Sequence, residues 1–408
     1  MQSSRRAFDV AAIRRQFPIL ERLSRGKQLI YLDNAATSQK PDAVIAALDH
    51  YYRAGNSNIH RGVYQLSEEA TLAWEAARQR AGHFIGAPSS DEIVFVRGTT
   101  EAINLVASSF VRPRATATSV VLVTAMEHHA NIVPWQLAGA STKAIPISGD
   151  GVLDLEAAER MLAERPILLA VAHVSNAIGT VNPVAELCRM AARHGVPVLV
   201  DGAQAAPHFA IDVQALGCDF YCFSSHKVFG PTGIGVLWGR SELLDGMPPY
   251  QGGGDMIDEV TFERTTFAPV PRRFEAGTPH IAGAVGLDAA LGWFEAIDRD
   301  AAVRYEETLR DHATNVLGTI PGVRLFGAGA EKAPIATFTL DGVHPHDLAS
   351  LLDGDGICVR AGHHCTQPLH RALGVPATVR ASFAIYNTTA EIDALGDSVI
   401  RARTIMGR

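Results

Sequence analysis

The stretch from about residue 91 to 240 alternates short apolar runs with helical patterns, which restricts the fold more than any other feature. Strands that are apolar on both faces occur in sheets covered by helices on both sides, and alternation with helices is typical of parallel strands. The strand-like runs lie at 93–96, 120–124, 143–147, 167–173, 196–200, 220–223 and 235–238. The helical patterns include 101–109, 155–163 and 184–193. The sequence therefore predicts an α/β fold with a mostly parallel, seven-stranded sheet.

The pattern changes after residue 284, where longer helical segments precede strands in less regular order. Helices and strands are predicted there at 284–296, 302–317, 323–326, 335–340, 346–352, 378–385 and from Ala390 onward. This order is typical of a smaller α+β domain. We therefore expect an N-terminal segment (1–30) packed on the small domain, a large domain (31–284) and a small C-terminal domain (285–408).

Composition and charge restrict the partners and the compartment. The net charge is −7 with a pI of about 6.1, and the basic residues are scattered, so no nucleic-acid partner is expected. No apolar run approaches the roughly 18 residues that span a bilayer, so no membrane association is expected. The five cysteines form no Cys-x-x-Cys pair, which favours a reducing compartment, and we expect a cytoplasmic protein. The arginine-rich start leaves a transit peptide open, although Phe8 and Phe17 fit a packed amphipathic helix.

Lys227 lies between the strand-like run at 220–223 and a glycine-rich turn at 230–235. Desolvation at such a place favours the neutral amine of a lysine, which suits it to form a Schiff base with a carbonyl cofactor. An ordinary loop lysine is the alternative. The glycine spacing fits neither the Walker pattern nor the dinucleotide-binding pattern.

Two further polar groups occupy strand ends. Asp201 follows the run at 196–200, where a carboxylate faces the ligand crevice of open α/β sheets and can keep a pyridine nitrogen protonated. The segment 97–101, Arg-Gly-Thr-Thr-Glu, offers backbone N–H groups and hydroxyls to a phosphate at a helix start. Simple helix capping is the alternative for each. Together with Lys227, these features predict a site for pyridoxal phosphate.

These motifs resemble those of the class V aminotransferase branch of the fold-type I pyridoxal-phosphate enzymes. Three longer motifs are similar to SUF-type (group II) cysteine desulfurases: Met-Glu-His-His-Ala-Asn at 126–131, Phe-Glu-Ala-Gly-Thr-Pro at 274–279 and Arg-Ala-Gly-His-His-Cys at 360–365. The similarity runs from about Phe8 to the C-terminus. It implies conversion of L-cysteine into L-alanine and an enzyme-bound persulfide, which supplies sulfur for iron–sulfur cluster assembly.

The resemblance also implies a role for each matching residue. Lys227 would bind the cofactor covalently, Asp201 would pair with the pyridinium nitrogen, Gln204 with the ring hydroxyl, and His128 would stack on the ring. The phosphate would be held by Thr99, Thr100, Ser224, His226 and, from the other subunit of an obligate homodimer, Thr278. The substrate carboxylate would meet Asn176, Arg380 and the nearby Arg360, with His60 completing the partner's site.

Cys365 lies in a polar stretch with Arg360, His363 and His364, whereas Cys188, Cys218 and Cys222 are expected in the core. Neighbouring cations favour the reactive thiolate, so we expect Cys365 to attack the substrate sulfur. A zinc site built from these neighbours, or from His128 and His129, is the alternative. Adjacent ligands rarely close a tetrahedron, and no metal is expected.

The segment 343–347 is similar to desulfurases that pass sulfur to a zinc-containing, SufU-like acceptor, where a histidine at the place of His346 engages the metal. A SufE-like acceptor and simple helix capping by His346 or Asp347 are the alternatives. Among activities, selenocysteine lyase is the second candidate, so L-selenocysteine is an alternative substrate. An aminotransferase, which has no use for a placed thiol, and a non-catalytic scaffold subunit are further rivals.

Overall fold

The large sheet has the predicted α/β architecture. A computed structural model of the chain describes residues 8–327, 329 and 331–407, so the question of a transit peptide before residue 8 lies outside the described residues. The strands of the large sheet are β1 (Ile93–Val96), β2 (Val120–Thr124), β3 (Ser141–Ile145), β4 (Leu168–Ala172), β5 (Val198–Asp201), β6 (Phe220–Ser224) and β7 (Gly235–Gly239). Their spatial order is β1-β7-β6-β5-β4-β2-β3.

Strands β2 to β6 run parallel, and β7 is antiparallel to both β1 and β6. The prediction of a mostly parallel, seven-stranded sheet is therefore confirmed. Every residue of β1, β4, β5, β6 and β7 is buried, since helices cover both faces of the sheet. The carboxyl ends of the parallel strands meet at one edge, which is where ligands bind in this class of sheet.

Helices occupy much of the remaining chain. The α-helices of the described residues are Val10–Arg14, Asp42–His50, Gln65–Phe84, Thr99–Val106, Val133–Leu137, Leu155–Leu162, Val184–Arg193, Val213–Leu216, Ser241–Asp245, Ile281–Glu295, Arg299–Gly318, Pro345–Gly354, Gln367–Ala372 and Thr389–Ile405. Short 3₁₀ turns lie at Pro18–Glu21, Ser90–Glu92, Arg112–Arg114, His129–Asn131, Ser225–Lys227 and Arg272–Phe274, and π-helical turns at Tyr51–Gly55 and Ala107–Val111. No helix in the described part of the chain is long and apolar enough to cross a membrane.

A second, four-stranded antiparallel sheet lies in the C-terminal part. Its strands are β8 (Val323–Phe326), β9 (Ile335–Leu340), β10 (Arg360–Gly362) and β11 (Thr378–Ser382), in the order β8-β9-β11-β10. The register of β10 and β11 places Arg360 opposite Arg380, so two cations lie side by side on one sheet. Short strand pairs complete the structure at Leu23–Ser24 with Lys27–Gln28, Ile257–Val260 with Thr265–Phe267, and Ile30–Tyr31 with Ile357–Cys358.

The N-terminal segment packs on residues of the central part of the chain and of its last third. Phe17 is buried against the rings of Phe229, Trp293 and Tyr386. Arg14 donates to the carbonyl oxygen of Tyr386 at 2.5 Å, which ties the first helix to the C-terminal part. The division into three parts at residues 30 and 284 stays a prediction.

Candidate active site

Eleven of the predicted site residues line one cavity at the carboxyl ends of the parallel strands. They are Thr99, Thr100, His128, Asn176, Asp201, Gln204, Ser224, His226, Lys227, Arg360 and Arg380. They come from the ends of strands in the large sheet, from the segments that follow those strands, and from strands β10 and β11, so the cavity lies where the two sheets approach each other. A buried lysine, a buried carboxylate, two arginine side chains and two histidine rings are thereby brought to one place.

Lys227 and Asp201 form the ionisable pair in the cavity. Asp201 ends β5, is buried, and accepts a hydrogen bond from the backbone N–H of Ala203 at 2.9 Å through Oδ1. Burial raises its pKa, and the positive charge of Lys227 opposes this shift. Burial lowers the pKa of Lys227 to about 8, although the charge of Asp201 acts in the other direction. An amine with this pKa is neutral and nucleophilic in roughly a tenth of the molecules at pH 7, against fewer than one in a thousand for an ordinary lysine.

One end of the cavity is built around the start of helix Thr99–Val106. The hydroxyl of Ser224, at the end of β6, accepts from the backbone N–H of Thr99 at 2.9 Å and lies 2.8 Å from its Oγ1. Burial lowers the pKa of His226 to about 4, so its ring is a neutral donor beside the helix. Backbone N–H groups, hydroxyls and the positive end of a helix dipole together suit a phosphate.

His128 lines the opposite wall. Its Nδ1 accepts from the backbone N–H of Ala130 at 3.0 Å, and burial, with Lys227 nearby, lowers its pKa to about 4. The adjacent Glu127 is fully buried between strand ends, where it accepts from Thr124 Oγ1 at 2.6 Å and Asn131 Nδ2 at 2.6 Å. Burial raises the pKa of Glu127 to about 7. This buried network fixes the backbone that carries the neutral His128 ring.

The guanidinium of Arg380 is anchored from two sides. It donates to Asp33 Oδ1 at 2.8 Å and to the carbonyl oxygen of Asn176 at 2.7 Å. Burial lowers its pKa, and Asp33 opposes that shift. Gln204 donates its amide to the carbonyl oxygen of Ala35 at 2.6 Å, so the predicted ring partner also binds the segment that precedes the large sheet.

Cys365 adjoins the cavity through Arg360. The guanidinium Nη2 of Arg360 lies 3.7 Å from the sulfur of Cys365, and Arg360 itself lines the cavity. Cys365 is partly exposed, whereas Cys188, Cys218 and Cys222 are buried. A charged donor therefore lies beside the partly exposed thiol at the edge of the predicted cofactor site. Among the described residues, no group of three or more His, Cys, Asp or Glu side chains is arranged to hold a metal ion.

Two predicted residues lie away from this cavity in the same chain. Thr278 lines a separate cavity with Trp74, Tyr250 and Phe274. His60 is exposed, and its Nε2 lies 3.0 Å from Glu75. Neither residue lines the Lys227 cavity of its own chain.

Residues 37–40 were not predicted, yet they hold the turn that carries Lys227. The carbonyl oxygen of His226 accepts from Lys40 Nζ at 2.9 Å, Thr37 Oγ1 at 3.1 Å and the backbone N–H of Ser38 at 3.1 Å. Burial lowers the pKa of Lys40 to about 7. The sequence signal was a Thr-Ser-Gln-Lys run with no apolar periodicity, which gives no indication of a contact 186 residues away.

The cavity fits pyridoxal phosphate. Gly98 and Gly235 leave an open cradle, because a Cβ at Gly98 would lie 3.2 Å from Ser224 Oγ and one at Gly235 would lie 2.6 Å from the Cα of Gly98. Within the described residues, Lys227 Nζ makes no hydrogen bond and Asp201 accepts only through Oδ1, so each has a free valence for a ligand. The cradle suits the phosphate, Lys227 the aldehyde, and Asp201 a protonated ring nitrogen.

The fold and this site define a fold-type I pyridoxal-phosphate enzyme. A family model described as Aminotransferase class-V matches residues 30–395, so the chain belongs to that family, whose members use this cofactor. A probable cysteine desulfurase of Halalkalibacterium halodurans is 49% identical over 399 residues, which cover 97% of this chain and 98% of the relative. A cysteine desulfurase of Klebsiella pneumoniae is 49% identical over 405 residues, 98% and 100% of the two chains.

The chain spans 64% of the length of a cysteine desulfurase of Synechococcus elongatus, to which it is 49% identical. The crystal structure of the cysteine desulfurase CsdA of Escherichia coli superposes with a TM-score of 0.91 at 41% identity, over 98% of this chain and all of that one. Within the class V family, the chain therefore belongs to the cysteine desulfurases. These relatives favour the desulfurase over the selenocysteine lyase.

Proposed function

We propose that this enzyme converts L-cysteine into L-alanine and carries the released sulfur as a persulfide on Cys365. The observation that supports this most strongly is the position of the Cys365 thiol, held 3.7 Å from Arg360 at the edge of a cavity that contains Lys227 and Asp201. An aminotransferase needs the lysine and the carboxylate alone. A placed thiol adds a second nucleophile, which a desulfurase requires.

The residues of the cavity divide the binding and proton-transfer steps among them. Arg380 and Asn176 hold the substrate carboxylate, and the buried carboxylate of Asp201 keeps a proton on the ring nitrogen of the cofactor. Pyridoxal phosphate, when bound, supplies an electron sink for the carbanion at the substrate α-carbon. Lys227, with its lowered pKa, accepts the α-proton as a neutral amine and returns a proton later.

The sulfur transfer itself belongs to Cys365. Its thiolate attacks the substrate sulfur, so an S–S bond forms while the carbon–sulfur bond breaks. The electron pair of the broken bond stays with the carbon, which takes up a proton and leaves as the methyl group of alanine. One thiol of the enzyme and one molecule of cysteine thus give one persulfide and one alanine, with no external oxidant or reductant.

Alanine release by Cys365→Ala tests this proposal. We expect the variant to keep its bound cofactor, read from the visible absorbance, and to lose alanine release by roughly 100-fold or more, since the nucleophile is missing. Cys358→Ala is the matched control, because Cys358 is also partly exposed and lies two residues before β10 begins. Equal alanine release by wild type and Cys365→Ala would show that Cys365 is not the acceptor of sulfur.

We also propose that the enzyme is of the SUF type, works in the cytoplasm and supplies iron–sulfur cluster assembly through a SufU-like acceptor. In support, His346 lies against the strand that leads to Cys365, since a Cβ at Gly362 would be 3.9 Å from its Nε2. A zinc-bearing acceptor at His346 would therefore be near the persulfide. The five free cysteines suit a reducing compartment. A SufE-like acceptor remains the alternative partner.

We further propose a homodimer in which Thr278 and His60 complete the partner's site. Both residues lie outside the cavity of their own chain. Large apolar side chains are exposed in the single chain, with Val63 at 98%, Leu72 at 71% and Phe262 at 107% relative exposure. We propose that the second subunit covers these side chains. We also propose that the chain divides at residues 30 and 284 into an N-terminal segment, a large domain and a small C-terminal domain.

A further inference from the structure

The backbone around Cys365 adopts a conformation that needs external support. His364 and Cys365 have φ values of +50° and +60°. Two successive non-glycine residues in the left-handed region are uncommon, and such a conformation persists only where the surroundings hold it. The position of the sulfur therefore depends on which groups hold this turn.

Three backbone groups of the turn are bound by residues from the large sheet side. Asn176 Nδ2 donates to the carbonyl oxygen of His364 at 2.7 Å. The backbone N–H of His129 donates to the carbonyl oxygen of Cys365 at 2.8 Å. The backbone N–H of Gln367 then donates to Nε2 of the His129 ring at 3.1 Å. His129 thus binds the chain on both sides of Thr366, directly after the cysteine.

The ring of His129 also takes the place of a helix cap. Helix Gln367–Ala372 begins directly after the turn, and its N-cap residue, Thr366, makes no capping hydrogen bond with its side chain. Free N–H groups at a helix start need an acceptor. The ring nitrogen of His129 provides it, so Nε2 carries no proton and Nδ1 does. Burial, with His363 nearby, lowers the pKa of His129, which agrees with a neutral ring.

The adjacent residues His128 and His129 connect the cofactor cavity with the turn that carries Cys365. His128 lines the cofactor cavity, and the next residue, His129, binds the turn that carries Cys365. We propose that His129 is a positioning residue, whose ring acceptor fixes the Cys365 sulfur relative to the cofactor site. This inference rests on the proposed role of Cys365 as the nucleophile.

Two substitutions separate the ring acceptor from the bulk of the side chain. His129→Leu keeps the volume and the backbone hydrogen bond but removes the acceptor, whereas His129→Gln retains an acceptor oxygen near the place of Nε2. In His129→Leu, we expect kcat for alanine release to fall by about three- to tenfold, the effect of one lost hydrogen bond. KM for cysteine should stay within twofold, because the guanidinium of Arg380 is held by Asp33 and the carbonyl oxygen of Asn176 and not by the turn. His129→Gln should recover most of the lost rate.

Alkylation of Cys365 by iodoacetamide gives a readout that needs no turnover. We expect His129→Leu to speed modification of the peptide containing Cys365 at least threefold, since a restraint on the turn is gone, with the cofactor absorbance unchanged. Rates within twofold of wild type in both assays, or a loss in His129→Gln as large as in His129→Leu, would overturn the inference. If the wild type released no alanine, the proposed function would fail, while alkylation would still report on His129.

Discussion

Two buried lysines lie close to His226 and differ in what their amines contact: Lys227 is the next residue in the chain, and Lys40 binds the carbonyl oxygen of His226. Lys227 has its pKa lowered to about 8 and makes no hydrogen bond within the described residues, so it presents a reactive amine. Lys40 has its pKa lowered to about 7, yet its Nζ binds the carbonyl oxygens of Ser38 and His226 at 2.6 and 2.9 Å. Burial alone therefore does not suit a lysine to Schiff-base formation, because the amine must also be free and face a cavity. Of these two lysines, Lys227 lines the cavity.

The pKa of Lys227 predicts the pH dependence of cofactor uptake by the apoenzyme. Only the neutral amine attacks an aldehyde, so uptake should be slow when Lys227 is protonated and should rise with pH to a midpoint near 8. Absorbance in stopped-flow mixing with pyridoxal phosphate measures the rate. Nα-acetyl-lysine is the control for the titration of the cofactor itself, and its midpoint should lie near 10.4. A midpoint above about 10 in the protein would contradict this assignment.

Single site residues could be predicted from the sequence where they belonged to a recognisable local pattern. Lys227 and Asp201 each follow a strand-like run, and the structure places both in the cavity. Lys40 and Asp33 have equally direct roles, but their partners His226 and Arg380 lie 186 and 347 residues away in sequence. Their importance arises only when the chain brings distant backbone groups together.

The close approach of β1, β7 and the start of helix Thr99–Val106 depends on how whole elements pack against each other. Gly98 precedes helix Thr99–Val106 with a φ of +148°, and Gly235 begins β7 directly against it. A Cβ at Gly235 would lie 2.6 Å from the Cα of Gly98 and 2.7 Å from the carbonyl oxygen of Phe223. Both are backbone atoms of packed elements, which cannot move without disturbing the phosphate cradle.

Gly235→Ala should therefore destabilise the protein by about 1–3 kcal/mol, the usual cost of forcing an extra methyl group into a packed site. It should also weaken cofactor binding, because the Gly98 turn must shift. Urea unfolding and cofactor titration measure the two effects. Gly149→Ala is the control, since a Cβ there meets nothing within 4 Å, and its effect should stay within about 0.5 kcal/mol. Equal stability of the two variants would refute the close-approach argument.

Two elements could not be predicted because neither has a clear apolar pattern of its own. The 20-residue helix Gln65–Phe84 buries a stripe with many small residues, among them Ala70, Ala77 and Ala81, so its apolar periodicity is weak. Strand β10 has three residues and owes its structure to pairing with β11, which no local pattern records. By contrast, the buried strands β1 and β2 and the helix Val184–Arg193 lie at the predicted bounds, because continuous burial or a clear amphipathic pattern marks them.

At the scale of the whole molecule, the segment 274–279 (Phe-Glu-Ala-Gly-Thr-Pro) is anchored by several hydrogen bonds of Glu275. Glu275 accepts two hydrogen bonds from the buried guanidinium of Arg78, at 2.7 and 2.8 Å, and one from the backbone N–H of Phe95 in β1 at 2.7 Å. Thr278 is thereby held in place on the outside of its own site. An exposed residue on a firmly held segment is what a contribution to the second subunit of the proposed homodimer needs.

A mixed dimer tests this arrangement. In the proposed homodimer, Thr278→Val should weaken cofactor binding roughly tenfold through a lost hydrogen bond, and Lys227→Ala should remove the amine that we expect to bind the cofactor. In a heterodimer of the two, the site with an intact Lys227 belongs to the Thr278→Val chain. If Thr278 acts across the interface, that site receives the threonine of the Lys227→Ala chain and binds the cofactor with wild-type affinity.

Differently tagged chains, co-expressed and purified through both tags, provide the heterodimer, and absorbance titration measures its single lysine-bearing site. Recovery of wild-type affinity at half the site number is the expected result, because the intact threonine and the intact lysine then meet in one site. Affinity that stays at the level of the Thr278→Val homodimer would place Thr278 in its own chain's site. The outcome separates the two cases without relying on catalytic rate, since each depends on which chain supplies one hydroxyl to one phosphate.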